Sequence, residues 1–358
     1  VYDAGRLANP VLAASAGFTD RAGDVNRYDL GLTQNFLDLL LLPSHTRLAQ
    51  ADFERTQLQA GAAVLDLDAR VRAAWVRLVA ARQVERLRRT IAEAAATSAE
   101  LAQRYYDAGN IAILDLELEQ AQSAQAVAAL AAAQQDRATA RAELGQLLGL
   151  PASRDDWQVR DGLAPVPTAD EDEAWLLDLA GRSRLDLAAK QHEVTAQEDA
   201  LGVAHRTRYL GQLDLGVQAE RDTDGAHLAG PSAALELPLF NQGDGRLLRV
   251  QAQLERSRAE LDTLALQIGH GVRAAHTRLV TSRALAARYR DVTVPLQQRI
   301  VEHTQQRVNG MLAGPFELIR ARQQAYDADQ QYIEAVRDYW IARNELERAV
   351  GARLLLPG

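Results

Sequence analysis

The sequence predicts a mostly α-helical chain with a small β part, written as two copies of one unit. Three observations carry that prediction. The 358 residues are 47% apolar but only 5% aromatic, with Ala and Leu dominant. That composition suits long helices packed closely through small side chains. Two stretches, residues 45–107 and 245–308, hold no proline before Pro295 and carry apolar residues at three- and four-residue spacing with Arg and Glu between them. Third, the chain resembles itself. Val71-Arg72-Ala73-Ala74-Trp75-Val76-Arg77-Leu78 matches Val272-Arg273-Ala274-Ala275-His276-Thr277-Arg278-Leu279 at a spacing of 201, and Gln50-Ala51 matches Gln251-Ala252 at the same spacing. After one extra residue the spacing is 202, pairing Asp136 with Asp338, Arg141 with Arg343, Glu143-Leu144 with Glu345-Leu346 and Gly149 with Gly351. Several matches in one order argue duplication rather than chance.

The first repeat spans residues 1–150. It opens with a β-hairpin over 10–37, where Leu12, Ala14, Ala16 and Phe18 alternate with small or polar residues, Asp20 to Asn26 supplies the turn, and Tyr28, Leu30 and Leu32 alternate in return. A bend at Leu42-Pro43-Ser44 leads into a helix over 45–107, roughly 90 Å at ~1.5 Å per residue. A tip turn at 108–112 and a return helix over 113–148 complete the copy. Residues 151–208 form a middle segment, irregular from Pro151 to Asp170 with Trp157 as its anchor, then a connecting helix from Glu171 to Arg208. The second repeat, 209–358, reuses the scheme: a hairpin over 211–240, a long helix over 245–308, a tip turn over 309–315 and a return helix over 316–350. Its second strand is read from Leu235, Leu237 and Leu239 around Glu236. The chain opens as the tail of a helix, so the sequence is expected to be a mature or trimmed form.

Composition excludes several classes. A net charge of −8 without any Lys/Arg-rich block argues against nucleic acid. Cysteine is absent, which removes thiol chemistry and disulfides. The densest apolar run, Leu39 to Leu42, is preceded by Asp38 and stopped by Pro43, so no helical membrane span is predicted; a membrane β-barrel, whose strands alternate, stays open. No glycine-rich nucleotide loop occurs. His270 and His276 are six apart, off ligand spacing, and Met311 is the single methionine. No catalytic site, metal site or cofactor is expected.

The whole chain resembles the TolC-type outer-membrane efflux protein family. The residues that carry the resemblance are Asn9-Pro10-Val11-Leu12 opening the first strand, Arg184-Leu185-Asp186-Leu187 where the family usually has Arg-Pro-Asp-Leu, and Leu237-Pro238-Leu239-Phe240-Asn241 after the last strand. Both helix-tip breaks, followed by Leu114-Asp115-Leu116 and Phe316-Glu317-Leu318, add to it. The resemblance implies a homotrimer in which three chains contribute twelve strands to one β-barrel, continued by a long antiparallel α-helical barrel. It also implies location in the bacterial outer membrane and partners in a periplasmic adaptor (a membrane fusion protein) and an inner-membrane pump of the resistance-nodulation-division type. The tip over 309–318 looks most like members that serve copper/silver or cobalt-zinc-cadmium export, so heavy-metal ions or small toxic compounds are the implied cargo.

Within that resemblance the candidate residues fall into three groups. Asp115, Glu117, Glu119 and Glu317 follow the tips and, tripled, would form carboxylate rings at a periplasmic aperture; a solvated helix face with acids near a helix N-terminus accounts for them as well. Ala108, Gly109, Asn110, Gly310, Met311, Gly314 and Phe316 are candidates for adaptor docking, with Tyr105 and Tyr106 as further anchors. Helix termination accounts for the glycines equally. Leu12, Phe18, Tyr28, Leu30, Leu213, Leu215 and Leu235 are candidates for a lipid-facing band, though a soluble hairpin with one wet face shows the same alternation. Trp75 and Trp340 are read as interhelical core. The rival from another class is a soluble periplasmic coiled-coil scaffold or adaptor.

Overall fold

The computed structural model describes residues 3–18, 26–154, 156–160, 162–207, 213–222, 224, 226–236 and 242–354, with the backbone alone for 37–40. The expected turn residues 20–25, Thr223 and Gly225, and the motif from Leu237 to Asn241, lie outside the described residues. By contact the chain divides into two compact units: Val1–Gly61 with Leu185–Leu266, and Ala62–Arg184 with Gln267–Gly358.

The first unit holds a four-stranded sheet. Strands β1 (Val11–Gly17), β2 (Arg27–Asn35), β3 (Leu213–Arg221) and β4 (His227–Leu235) run in the order β1-β2-β3-β4, and every neighbour is antiparallel. The strand expected around Leu235 to Leu239 instead occupies His227–Leu235. Its Ala/Gly/Pro/Ser-rich sequence has low strand propensity, and pairing with β3, Leu213 opposite Leu235 and Val217 opposite Pro231, determines where it lies. Pro231 is compatible with that place because β4 is an edge strand.

The expected bend at Pro43 is not present. Helix α1 runs Phe36–Asp107, beginning directly after β2 and carrying Pro43 within it. Pro43 has no N–H to give the carbonyl of residue 39, and α1 nevertheless continues through it; one turn on, the Thr46 hydroxyl donates to the Leu42 carbonyl at 2.9 Å and Arg47 Nε to the Pro43 carbonyl at 3.4 Å. The expected single connecting helix is two. Helix α3 (Glu173–Ser183) is capped by the Asp172 carboxylate, which accepts from the Trp175 N–H. It ends at Arg184, whose backbone is extended; helix α4 (Leu185–Arg206) then begins. Leu185 takes the first helical position, where proline would be well suited.

Also in the first unit, α4 packs beside α5 (Asp244–Arg288) through ionic contacts. Lys190 Nζ lies 3.0 Å from Glu193 and 2.5 Å from Glu260, and Ser257 Oγ donates to Glu193 at 3.1 Å. Burial alone would raise the Glu193 pKa; Lys190, Ser257 and Arg55 overcome that and hold it below its ordinary value.

The second unit is helical. Helix α2 (Ile113–Leu147) returns along α1, and α7 (Pro315–Val350) is its counterpart in the second half. Ala74 and Leu78 of α1 pack on Ala140 and Leu144 of α2, joined by Trp75 and Trp157; further along, Ile91, Ala92 and Ala95 meet Ala126. The buried stripe of α2 repeats every seven residues, Ala126, Ala133, Ala140, as does that of α7, Ala328, Ala335, Ala342. A heptad of alanines lets helix backbones approach closely. Trp75 is helix packing, as expected. Trp340 instead donates its indole N–H to the Ala164 carbonyl at 2.9 Å, pinning the irregular middle segment. Arg343 is buried and bonds Glu171 at 3.0 Å in the same segment.

The second long helix is interrupted: α5 ends at Arg288, a π turn occupies Tyr289–Thr293, and α6 (Val294–Asn309) completes it. Both return helices end on left-handed glycines, Gly149 (φ 67°) and Gly351 (φ 76°).

Two predictions arise here. A Cβ on Gly149 would meet nothing, whereas one on Gly351 would lie 3.0 Å from Arg184 Cδ and 3.3 Å from the Ser183 carbonyl. Thermal unfolding should therefore show Gly149→Ala costing about 1–2 kcal/mol for the left-handed backbone alone, and Gly351→Ala costing more. Because the Glu193 pKa is depressed in the folded chain, its contribution is present above its unfolded value of 4.5 and is lost as pH falls through the lower folded pKa. Lys190→Met should flatten the loss of stability below pH 4.5 measured by acid titration of unfolding.

Candidate functional site

Register assigns faces to the sheet, because residues paired across antiparallel strands point the same way. One face receives Leu12, Ala14 and Ala16 from β1, Tyr28, Leu30, Leu32 and Gln34 from β2, Leu213, Leu215, Val217, Ala219 and Arg221 from β3, and His227, Ala229, Pro231, Ala233 and Leu235 from β4. It is apolar, with Gln34 toward one end and the row Tyr28, Arg221, His227 at the other. Six of the seven residues expected to face lipid lie in strands on this face; Phe18, the seventh, lies just past β1 with the same parity and is 80% exposed. The opposite face carries charge. Arg27 bridges Asp29 at 3.3 Å and Glu220 at 2.6 Å, and Ser15 Oγ donates to Asp29 at 2.9 Å. Thr33, Asp214, Gln218 and Ser232 share that face, with Val11 and Leu228 as apolar members. Both faces are largely exposed in the chain, and β1 and β4 have open outer edges among the described residues.

The helix tips form the second candidate region. After α1, the Ala108, Gly109 and Asn110 N–H groups donate to the carbonyls of Arg104, Tyr106 and Tyr105. After α6, those of Gly310, Met311 and Leu312 donate to Gln306, Val308 and Arg307. The two patterns coincide at a spacing of 202. At the left-handed position the first tip has Gly109 (φ 72°), but the second has Met311 (φ 57°), the only non-glycine residue of positive φ among the described residues. Gly310, expected to end the helix by its backbone freedom, has φ −85°; Met311 takes the strained conformation. Met311 is 94% exposed and Leu312 74%. The second return helix then starts at Gly314 and Pro315. The Phe316 ring meets Tyr105 edge-on, with centroids 6.3 Å apart, which sets the start of α7 beside the end of α1.

The acids separate. The Asp115 N–H donates to Ala112 and that of Glu317 to Gly314, again 202 apart. Asp115, Glu117 and Glu317 are exposed. Glu119 is not available for a ring. It is buried and accepts from Ser98 Oγ of α1 at 2.5 Å. It occupies the seven-residue stripe of α2, in the place that Ala321 takes on α7. Extending the spacing of Ala126, Ala133 and Ala140 back by one heptad would have marked Glu119 as inward, whereas reading acids by proximity to the tip did not. The Arg27–Asp29–Glu220 group was missed because its members come from strands far apart in sequence. Among the described residues no three His, Asp or Glu side chains gather at metal-ligand distances, and no helix is long and apolar enough to cross a membrane.

The family described as Outer membrane efflux protein matches residues 4–150, less than half of the chain. No curated protein sequence matches. Among solved structures, a membrane protein from Pseudomonas aeruginosa superposes with TM-score 0.81 at 19% identity, covering 98% of this chain and 83% of that one. The Campylobacter jejuni CmeC outer membrane channel gives 0.77 at 17%, covering 98% and 78%. The outer membrane protein VceC of Vibrio cholerae gives 0.74 at 17%, covering 96% and 87%. The chain has the fold of these proteins.

The Ser98–Glu119 bond gives a test of this placement. Ser98→Ala would leave a buried carboxylate without its hydroxyl donor and should lower unfolding stability by about 1–3 kcal/mol. An unchanged denaturation midpoint would return Glu119 to the surface.

Proposed function

We propose that the chain is the outer-membrane channel subunit of a tripartite efflux pump, a passive duct and not an enzyme, assembled as a homotrimer whose twelve strands close one barrel. The observation that carries this reading is the sheet. One face is apolar across all four strands, the other holds the Arg27–Asp29–Glu220 charges, and both edges are open. An apolar outer face, a polar inner face and aromatic or charged residues at the rim are what a lipid-spanning barrel requires. Four strands do not close a barrel; three copies supply enough and remove every edge. The two copies of strand pair, long helix and return helix are read as a duplication. The matching tip hydrogen bonds and matching alanine stripes support that reading.

Energy for transport comes, in this reading, from an inner-membrane pump of the resistance-nodulation-division type, joined through a periplasmic adaptor at the tips. Met311 supports the docking role: an exposed apolar side chain kept on a strained backbone where the sister tip has glycine is costly to the isolated chain. Exposed Asp115 and Glu317, tripled, would attract cations at the inner aperture. The heavy-metal cargo rests on the sequence resemblance of the second tip alone.

The purified protein should require detergent, run as a trimer by light scattering, and conduct in planar bilayers. A monodisperse detergent-free monomer would instead favour the soluble scaffold. Given conduction, Asp115→Ala with Glu317→Ala should weaken block by divalent cations. Met311→Gly should raise stability by about 1 kcal/mol while lowering pump-dependent drug or metal tolerance in cells; preserved tolerance would remove Met311 from the docking surface.

A further inference from the structure

The geometry points to a built-in hinge at Tyr289–Thr293, the π turn of the second long helix, about which α6 and its tip move when the inner end of the duct opens; this purpose rests on the duct reading above.

The first observation is a residue count. Between the two copies the spacing is 201 at Leu78 and Leu279 but 202 where the long helices end, at Asp107 and Asn309. One extra residue has therefore entered the second helix between those points. A π turn holds one residue more than the α-helical turn it replaces and leaves the flanking helix in register. The π turn lies inside that interval, with the Val294 N–H donating to the Tyr289 carbonyl five residues back. The extra residue is thus absorbed locally, and both tips keep the same hydrogen-bond pattern.

The second observation is Pro295, one residue into α6. It has no N–H to give the carbonyl a turn earlier, which lies in the π turn, so the ladder is weakened twice at the same place. At the corresponding place the first copy has Glu93 and Ala94 within unbroken α1. The third is packing. Neither the π turn nor α6 has a single buried residue in the chain, whereas α1 over the matching stretch buries Ile91, Ala92, Ala95, Ser98 and Ala102. Weak backbone bonding and sparse burial together mark the segments that open at lowest cost. A π turn and a proline sit together in one long helix and are absent from the matching stretch of the other, which places a local weak point there. Within the turn, Arg290 pairs with its neighbour Asp291 at 2.8 Å on the exposed surface, while α7 lies alongside.

Hydrogen exchange on the assembled wild-type protein tests the hinge directly. Amides of residues 289–294 and 296 should exchange at least about tenfold faster than those of residues 86–93 in α1; equal protection overturns the proposal. Deleting Val292 removes the spare residue and should give a continuous α-helix with the tip in its original phase. That variant should fold, form the same oligomer and melt no lower than wild type. Its open probability in planar bilayers should fall by about tenfold, and Pro295→Ala should lower it in the same direction. A deletion that misfolds shows the residue is not spare, and unchanged gating in both variants shows the turn is not the hinge; either result overturns the proposal. If the wild-type protein forms no channel, the duct reading fails, while hydrogen exchange still decides whether the turn is a hinge.

Discussion

Every strand carries one backbone donor and one acceptor per residue, and the outermost strands of a sheet leave half of them facing outward. In this chain β1 and β4 are those strands, and nothing in the described fold covers them. The usual remedies, charged side chains aimed along the edge or a helix laid across it, are missing from β1, whose sequence is Val-Leu-Ala-Ala-Ser-Ala-Gly. With one face apolar and the other charged, the sheet has a definite inside and outside before any partner is considered. The helices inherit this constraint. Since Phe36 follows Asn35 without a loop, the sheet's register fixes where α1 begins, and Pro43 must be accommodated inside the helix because the chain has no spare residue for a bend.

Away from the sheet, the packing is of another kind. The return helices bury alanine at seven-residue intervals. A methyl group removes far less apolar surface from water than a leucine side chain, at about 25 cal/mol per Å², so each contact is weak and the interface depends on length and close approach. Larger residues are reserved for places where an irregular segment must be held: Trp157 under Arg141 at 4.1 Å, Trp340 on Ala164, and buried Arg343 on Glu171. Arg141 and Arg343 are sister positions in the two halves, and each binds part of the same middle segment by a different interaction. One uses the face of a ring and the other a carboxylate, so similar helices end up with distinct tasks.

Period and composition made most of the fold legible. Helical spacing placed the tip ends of the long and return helices to within a few residues, but neither the start of α1 at Phe36 nor the π turn that divides the second long helix; alternation found β1, β2 and β3. Failures had local causes. The sequence of β4 is built of residues that disfavour strands, and only its partner specifies it. Pro43 reads as a boundary because a helix-interior proline is costly, and that α1 continues through it is visible only in three dimensions. Arg184 ends a helix without the proline that would have announced it. At the site, the apolar face was readable because it follows a two-residue period within each strand. Glu119 was misjudged because distance from the tip was given more weight than the heptad on which it sits. The strain at Met311 could have been found by aligning the halves: a 202-residue spacing sets it against Gly109, and glycine at one member of a pair is a statement about the backbone of the other.

The two long helices also show how a fold can divide rigid from compliant parts without changing its element order. Helix α7 buries ten residues and α6 buries none, although they lie next to each other in sequence across a single turn. Because stability is the small difference of large terms, a segment whose side chains are at most half-buried leans more heavily on its backbone hydrogen bonds, and in α6 these begin with a π turn and a proline. In α1 the same stretch has both an unbroken ladder and a buried stripe. The difference between the halves is therefore concentrated where two independent stabilising terms are withdrawn together. Chance loss would be expected to spread such defects along both long helices. Their coincidence within one turn, with the downstream register intact, argues that compliance at that point is what the fold retains.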